Sequence, residues 1–294
     1  ERMVDMAERF GANVVVLRGK WGYPFPSELL EDEFKKHAKV KLVSVVHAET
    51  STGILQPLQD LSCLTKEHDA LFMVDAVTSL GGCEVDVDGW EIDYCYSATQ
   101  KCLACPPGLS PVSLSPQALE VVSKRESKPA SWYLDLNLIS RYWVDHVYHH
   151  TAPVSMLLGF REALKIVLEE GLEARFDLHA RHAAALRAGL EALGLVLVAP
   201  EEFRLNQVTS VWVPNGVDHA EVIRGLLRQY NIEIGRGLGE FAGKVWRFGL
   251  MGESSKPQYV LALLSALEEI LPRVGYEVGK GAGVSAASQS LSGG

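Results

Sequence analysis

The chain has 294 residues, enough for one large domain and a smaller companion. Its 47% hydrophobic and 22% charged residues are those of a folded globular chain, and no stretch nears the roughly 20 apolar residues of a membrane helix. A net charge of −9 argues against a nucleic-acid surface, because phosphate backbones favour basic patches, yet it leaves room for one phosphate in a local pocket.

Along the chain, "ERMVDMAERFGA" has the pattern of a helix already under way and opens on Glu1, so the sequence is expected to be N-terminally incomplete. "ANVVVLR" predicts a strand and "PSELLEDEFKKH" a helix with Ser27 as N-cap. "VKLVSVVHAETSTG", "ALFMVDAVTSLGG" and "EIDYCYSATQK" predict further strands, with the helix "LQDLSCLTKEHD" between the first two. Apolar runs alternating with helices predict a mostly parallel sheet with helices on both faces. Ligands bind such sheets beyond the carboxyl ends of the strands, here His47 to Gly53, Asp75 to Ser79 and Ser97 to Lys101.

A long helix is expected from about Pro153 through "VSMLLGFREALKIVLEEG", and a second over "LEARFDLHARHAAALRAGLEALG". The order of elements then changes to "VTSVWVP", "HAEVIRGLLRQY", "KVWRFGL" and "PQYVLALLSALEEIL", which predicts a small α+β domain. The expected organisation is a large domain over 1–165, a small one over 166–275, and a disordered tail over 276–294 of small polar residues. That tail carries no Ser-Lys-Leu-type address, and the compartment stays open. The five cysteines, Cys63, Cys83, Cys95, Cys102 and Cys105, are odd in number and mostly in apolar runs, which suits buried thiols better than a disulfide frame.

The segment "YSATQKCLACPPG" places Lys101 just beyond an apolar strand. A lysine there can snorkel, hold a phosphate, or act as a nucleophile. Asp75 also ends an apolar strand, and parallel strands would bring the two to one sheet edge. Such a pair suits pyridoxal phosphate, whose aldehyde takes a lysine and whose ring nitrogen takes an acid. Spacing alone leaves a solvated lysine and a loop acid open.

Four motifs, "HAETSTGILQP", "MVDAVTSLGG", "YSATQKCLACPPG" and "VYHHTAP", strongly resemble class V aminotransferases of pyridoxal-phosphate fold type I, nearest the alanine–glyoxylate (serine–pyruvate) branch. The likeness runs from residue 1 to about residue 271. It implies an α/β fold, pyridoxal 5'-phosphate as cofactor, and Lys101 as the residue that holds it covalently and shuttles a proton. Asp75 matches the acid at the ring nitrogen, and Gln100 and Thr99 the residues before the lysine, with Gln100 toward the phosphate. Thr50 matches a hydroxyl beside the ring, and Arg247 in "VWRFGLMG" the arginine that holds a substrate carboxylate. Tyr148 and Thr151 match a pair that reaches the phosphate of a second subunit, which implies a homodimer. The implied reaction moves an amino group from alanine or serine to glyoxylate or pyruvate. The family's glycine-rich phosphate turn and ring-stacking aromatic would lie before Glu1.

Other readings remain open. Serine–glyoxylate or aminophosphonate transamination, or a non-catalytic relative acting as a binding partner, are alternatives. A cysteine desulfurase would need a late cysteine, and none follows Cys105. "CLAC" has no second pair to make a zinc site. His149 and His150 would face opposite sides of a strand, which favours packing over metal binding. "IGRGLGEFAG" lacks the dinucleotide order and reads as a loop. Trp132, Tyr133, Tyr142 and Trp143 read as core or dimer contacts.

Overall fold

The structure, a computed structural model, describes residues 2–293. Helix α1 (Arg2–Arg9) buries none of its side chains. The strand expected at "ANVVVLR" does not form, and Val15 and Val16 remain exposed. An apolar run becomes a strand only beside a segment that offers it N–H and C=O groups. Helix α2 (Ser27–Phe34) has Pro26 at its cap position and no side-chain cap, so Ser27 is its first residue, not its N-cap.

Next come β1 (Leu42–Val46), the short hairpin of β2 (Ala48–Glu49) and β3 (Ile54–Leu55), α3 (Gln59–Glu67), β4 (Leu71–Asp75), β5 (Tyr94–Tyr96) and β6 (Val112–Leu114). Strands β1, β4 and β5 are parallel neighbours, with Val46 opposite Asp75 and Asp75 opposite Tyr96; antiparallel β6 closes the order. Phe72 and Val74 of β4 pack under Leu30 and Phe34 of α2 and Leu61 of α3. Each such buried side chain contributes about 1.5–3 kcal/mol by leaving water. The sheet is pinned at its far end by buried Asp93, whose carboxylate accepts from Lys66 Nζ, Phe72 N–H and Ser115 Oγ.

Helix α4 (Pro116–Ser123) is capped by Ser115, and α5 (Leu136–Val144) by Asp135. Helix α6 (Val154–Glu170) runs through the boundary expected at 165 and stops at Gly171, where α7 (Leu172–Ala192) begins. Beyond it lie β7 (Val208–Trp212), α8 (His219–Tyr230), β8 (Gly235–Arg236), β9 (Val245–Gly249), α9 (Pro257–Ile270) and α10 (Ala282–Ser292). The antiparallel order is β7-β9-β8. One apolar core gathers Leu186 and Leu190 of α7, Val211 of β7, Leu226 of α8, and Leu264 and Leu267 of α9. Among the described residues no helix is long and apolar enough to cross a membrane.

Of the segment expected to be a disordered tail, Ala282–Ser292 form α10, and Gly294 lies outside the described residues. Glu268 of α9 accepts from the backbone N–H groups of Gly281 (2.7 Å), Gly283 (2.9 Å) and Val284 (3.1 Å), and so caps α10 from another helix. Ala287 is buried in the core, and Gly283 lies against Gly189 of α7: a Cβ on Gly189 would stand 2.9 Å from Gly283 O. The small residues that read as disorder are those that let two helix backbones approach.

Two outcomes are expected from these contacts. Glu268→Ala removes a negative charge and three acceptor contacts from a helix N-terminus. It should cost about 1–2 kcal/mol in thermal unfolding and speed proteolysis within 276–292; unchanged proteolysis would rule Glu268 out as the cap. Burial works against the Asp93 charge, but its bonds from Lys66, Ser115 and Phe72 prevail and hold the carboxyl below its ordinary value. A depressed carboxyl contributes stability that is complete above the unfolded-state pKa and lost as pH falls through the folded value. Asp93→Ala should therefore cost about 3 kcal/mol at neutral pH, with wild-type and variant denaturation curves converging below about pH 4.

Candidate active site

The register of the parallel strands builds the site. Asp75 ends β4, directly opposite the last residue of β5, so both side chains project to one side of the sheet. Tyr96 uses that position: its hydroxyl donates to Asp75 Oδ2 at 2.7 Å, while Val77 N–H donates to Oδ1 at 2.9 Å. The carboxylate is thereby oriented, with acceptor capacity left for a further donor. Burial and the neighbouring Asp75 charge push the Tyr96 phenol above its ordinary value, so it remains a donor.

Beyond β5 the chain turns through Thr99, Gln100 and Lys101. Thr99 is buried and closes the loop, donating through Oγ1 to Pro106 O (2.8 Å) and accepting at its carbonyl from Cys105 N–H (3.0 Å). Gln100 is exposed. Lys101 is half-buried, and its amine has no hydrogen-bond or ion-pair partner among the described residues. An amine with no carboxylate paired to it is free to bond an aldehyde.

Thr50 sits in the turn joining β2 to β3, a turn shaped by Glu49, which accepts from Ser51 N–H (2.8 Å) and Gly53 N–H (2.9 Å). Arg247, in the middle of β9, reaches this turn. Its Nη1 donates to Thr50 O (2.9 Å) and its Nε to Arg236 O (2.7 Å). Burial holds Arg247 below the usual arginine value and Glu49 partly offsets it, so the cation persists. The remaining N–H donors of the fork carry no partner among the described residues.

Asp75, ending β4, and Lys101, in the loop after β5, thus share the carboxyl edge of the parallel sheet, and Arg247 reaches the Thr50 turn at that edge from β9 of the other sheet. Tyr148 and Thr151 do not join them: Tyr148 is 73% exposed, and its hydroxyl meets only Thr151 Oγ1 at 3.2 Å. His47, at the same edge, is buried against Trp90, and burial pushes it down to about 4, so it stays neutral and packs. His149 and His150 hydrogen-bond to each other through their Nδ1 atoms (2.8 Å), with Trp132 stacked on His149. All five cysteines are free. Burial raises Cys102 to about 12, and its thiol donates to Thr78 O (3.2 Å), so the thiol form is favoured.

Sequence reasoning passed over Tyr96, Arg175 and His179. Tyr96 was legible in principle, as the residue paired with Asp75 once the register is known. Arg175 and His179 sit on α7, far away in sequence, and carried no local signal.

The arrangement fits pyridoxal phosphate at two ends. That cofactor calls for an amine at its aldehyde and an acid at its ring nitrogen; Lys101 has an unpartnered amine among the described residues, and Asp75 a carboxylate oriented by Tyr96 and Val77. Comparison with known proteins agrees. The Aminotransferase class-V profile matches residues 2–242. The chain is 41% identical to the (S)-ureidoglycine–glyoxylate transaminase of Bacillus subtilis, over 95% of this chain and 72% of that protein. It is 38% identical to alanine–glyoxylate aminotransferase of Drosophila melanogaster, over 92% of this chain and 70% of that one. The crystal structure of the Bacillus ureidoglycine–glyoxylate aminotransferase superposes with a TM-score of 0.95, covering 99% of this chain and 75% of that one. Alanine–glyoxylate aminotransferase from Nostoc sp. gives 0.90 at 45% identity, covering 92% and 72%. The chain belongs to the class V aminotransferase family, the pyridoxal-phosphate-dependent transaminases of fold type I.

Proposed function

We propose that the chain works as a transaminase with glyoxylate or pyruvate as amino acceptor and alanine or serine as donor. The observation that carries this reading is Arg247, a half-buried guanidinium tied at Nε and Nη1 with the rest of its fork unmatched. A planar fork suits a carboxylate, which α-amino acids and 2-oxo acids alike possess, so one arginine serves both halves of the exchange. Relatives named for glyoxylate support the choice of acceptor.

Pyridoxal phosphate, when bound, supplies an aldehyde that receives the amino group and a ring that takes up the electrons of a broken C–H bond. Lys101 holds it at rest. Freed of it, Lys101 Nζ would be the base that accepts the proton from the donor's α-carbon and, in the reverse half, the acid that supplies one to the acceptor's carbon. Asp75, steadied by Tyr96 and Val77 N–H, keeps a proton on the ring nitrogen. Thr50 would stand beside the ring, and Gln100 and Thr99 on the phosphate side.

The working unit in this reading is a homodimer in which Tyr148 and Thr151 serve the other subunit's phosphate. Support comes from the apolar side chains left open on this stretch: Trp132, Trp143, Leu158 and Leu168 are each at least 56% exposed. A second donor, (S)-ureidoglycine, is favoured by the 0.95 superposition on the Bacillus enzyme.

Adding pyridoxal phosphate to the chain should give a visible absorbance band that borohydride fixes on Lys101. In Lys101→Ala the band should be absent and turnover lower by roughly a thousandfold or more. A folded wild-type chain with neither band nor turnover would leave the binding-partner reading instead. Arg247→Lys should raise KM for glyoxylate about 10–100-fold with a smaller change in kcat, since a point charge replaces two parallel bonds; equal KM values would remove Arg247 from the carboxylate site. The keto product formed from alanine, serine or (S)-ureidoglycine in single-turnover reactions decides the donor. Leu168→Glu should move sedimentation from dimer toward monomer; a wild-type monomer at micromolar concentration would overturn the dimer.

A further inference from the structure

The loops that follow Asp75 on β4, that carry Lys101 after β5, and that follow Arg247 on β9 are all held by one turn of α7. Arg175 is 6% exposed. Its Nε donates to Gly81 O (3.1 Å), in the loop after Asp75, and its Nη2 to Cys102 O (2.6 Å), the residue after Lys101. Its Nη1 pairs with Glu170 at the end of α6, which supplies the counter-charge a buried guanidinium needs.

One turn further along α7, buried His179 sets Nδ1 against Arg175 O (2.7 Å) and Nε2 against Gly252 N–H (3.1 Å). A carbonyl can only accept and an amide N–H can only donate, so the ring is neutral with its proton on Nδ1. Gly252 follows the strand of Arg247. It sits at φ +52, and a Cβ there would stand 2.8 Å from Ala104 Cβ and 3.1 Å from Lys101 O. The backbone after Arg247 therefore rests on the turn that bears Lys101, at a position that favours glycine by conformation and by space.

We propose that Arg175 and His179 are positioning residues for the Lys101 amine. Lys101 Nζ has no partner among the described residues, so what the structure fixes is the backbone from which its side chain starts. Arg175 at Cys102 O is one outward tie of that segment and the Cys102 thiol on Thr78 O another, while Ala104 N–H to Lys101 O (3.0 Å) closes the turn on itself. The pair fixes one relative geometry among the lysine, the ring acid and the carboxylate arginine. Precise placement of this kind is what keeps reacting groups within reach of one another. The inference rests on the roles given above to Lys101, Asp75 and Arg247.

The test compares wild type, Arg175→Met, Arg175→Lys and His179→Phe with Glu268→Ala, which weakens the same half of the molecule far from the Lys101 turn. Amide hydrogen exchange of peptides spanning 99–106 and 250–256 is read without cofactor, and cofactor affinity is read from the absorbance band. In Arg175→Met, exchange in 99–106 should rise and pyridoxal phosphate affinity fall, each about tenfold, with Arg175→Lys in between. His179→Phe should loosen 250–256 first. Glu268→Ala should lower Tm and leave both readouts unchanged. The inference is overturned if Arg175→Met keeps wild-type exchange and affinity, or alters them no more than Glu268→Ala does at an equal loss of Tm. Should Arg175→Met fail to fold, Arg175→Lys and His179→Phe carry the same two outcomes. A missing band in wild type would count against the Lys101 role, while the exchange data would still decide the brace.

Discussion

Asp75 stands with Val46 on one side and Tyr96 on the other, each the last residue of a parallel strand, and the geometry of the candidate site depends on that register. A slip of one residue would turn Asp75 toward the α2 and α3 side of the sheet and take it out of reach of the Tyr96 hydroxyl. The register is held by features remote from the site. Phe72 and Val74 must stay under the helices, and Asp93 anchors the start of β5 to both Phe72 N–H and Lys66. Burial of apolar side chains on one face thus decides where a carboxylate points on the other.

The C-terminal half completes the site by reaching across. One face of β7 and β9 packs on helices, while the other meets the β2–β3 hairpin through Ala48, Leu55, Leu205 and Val208. Leu205 N–H donates to Gly53 O (2.9 Å), and Arg247 bonds to Thr50 O from the same direction. Trp21 extends the contact by packing edge-on against Phe241, which in turn meets Trp212. A guanidinium presented from one half to loops of the other holds its orientation only while both halves keep their packing.

How much of this was legible beforehand can be judged residue by residue. The β1, β4 and β5 strands and helices α3, α6, α7, α8 and α9 follow from apolar period, and the small domain from the change in element order. Misreadings arose where a local pattern was given a non-local meaning. "ANVVVLR" has strand composition but no neighbour to pair with, and Ser27 has cap chemistry but lies one residue inside its helix. The run of small residues after 276 has the composition of a disordered tail, yet those residues are what a close helix contact on α7 requires.

The sequence by itself determined the family and the candidate chemistry, because "YSATQK", "MVDAV" and "HAETSTG" are local arrangements whose residue types and order carry their own meaning. It also determined which faces must be buried, since hydrophobic period is a local property. Only the tertiary structure decided which groups meet. The Tyr96 bond to Asp75, the Arg247 bond to Thr50 and the ties of Arg175 to Gly81 and Cys102 join residues 21 to 197 positions apart. Such contacts have no signature in spacing along the chain. They exist because a sheet register, a hairpin and one helix turn bring backbone carbonyls and side chains within hydrogen-bond distance after the core has formed.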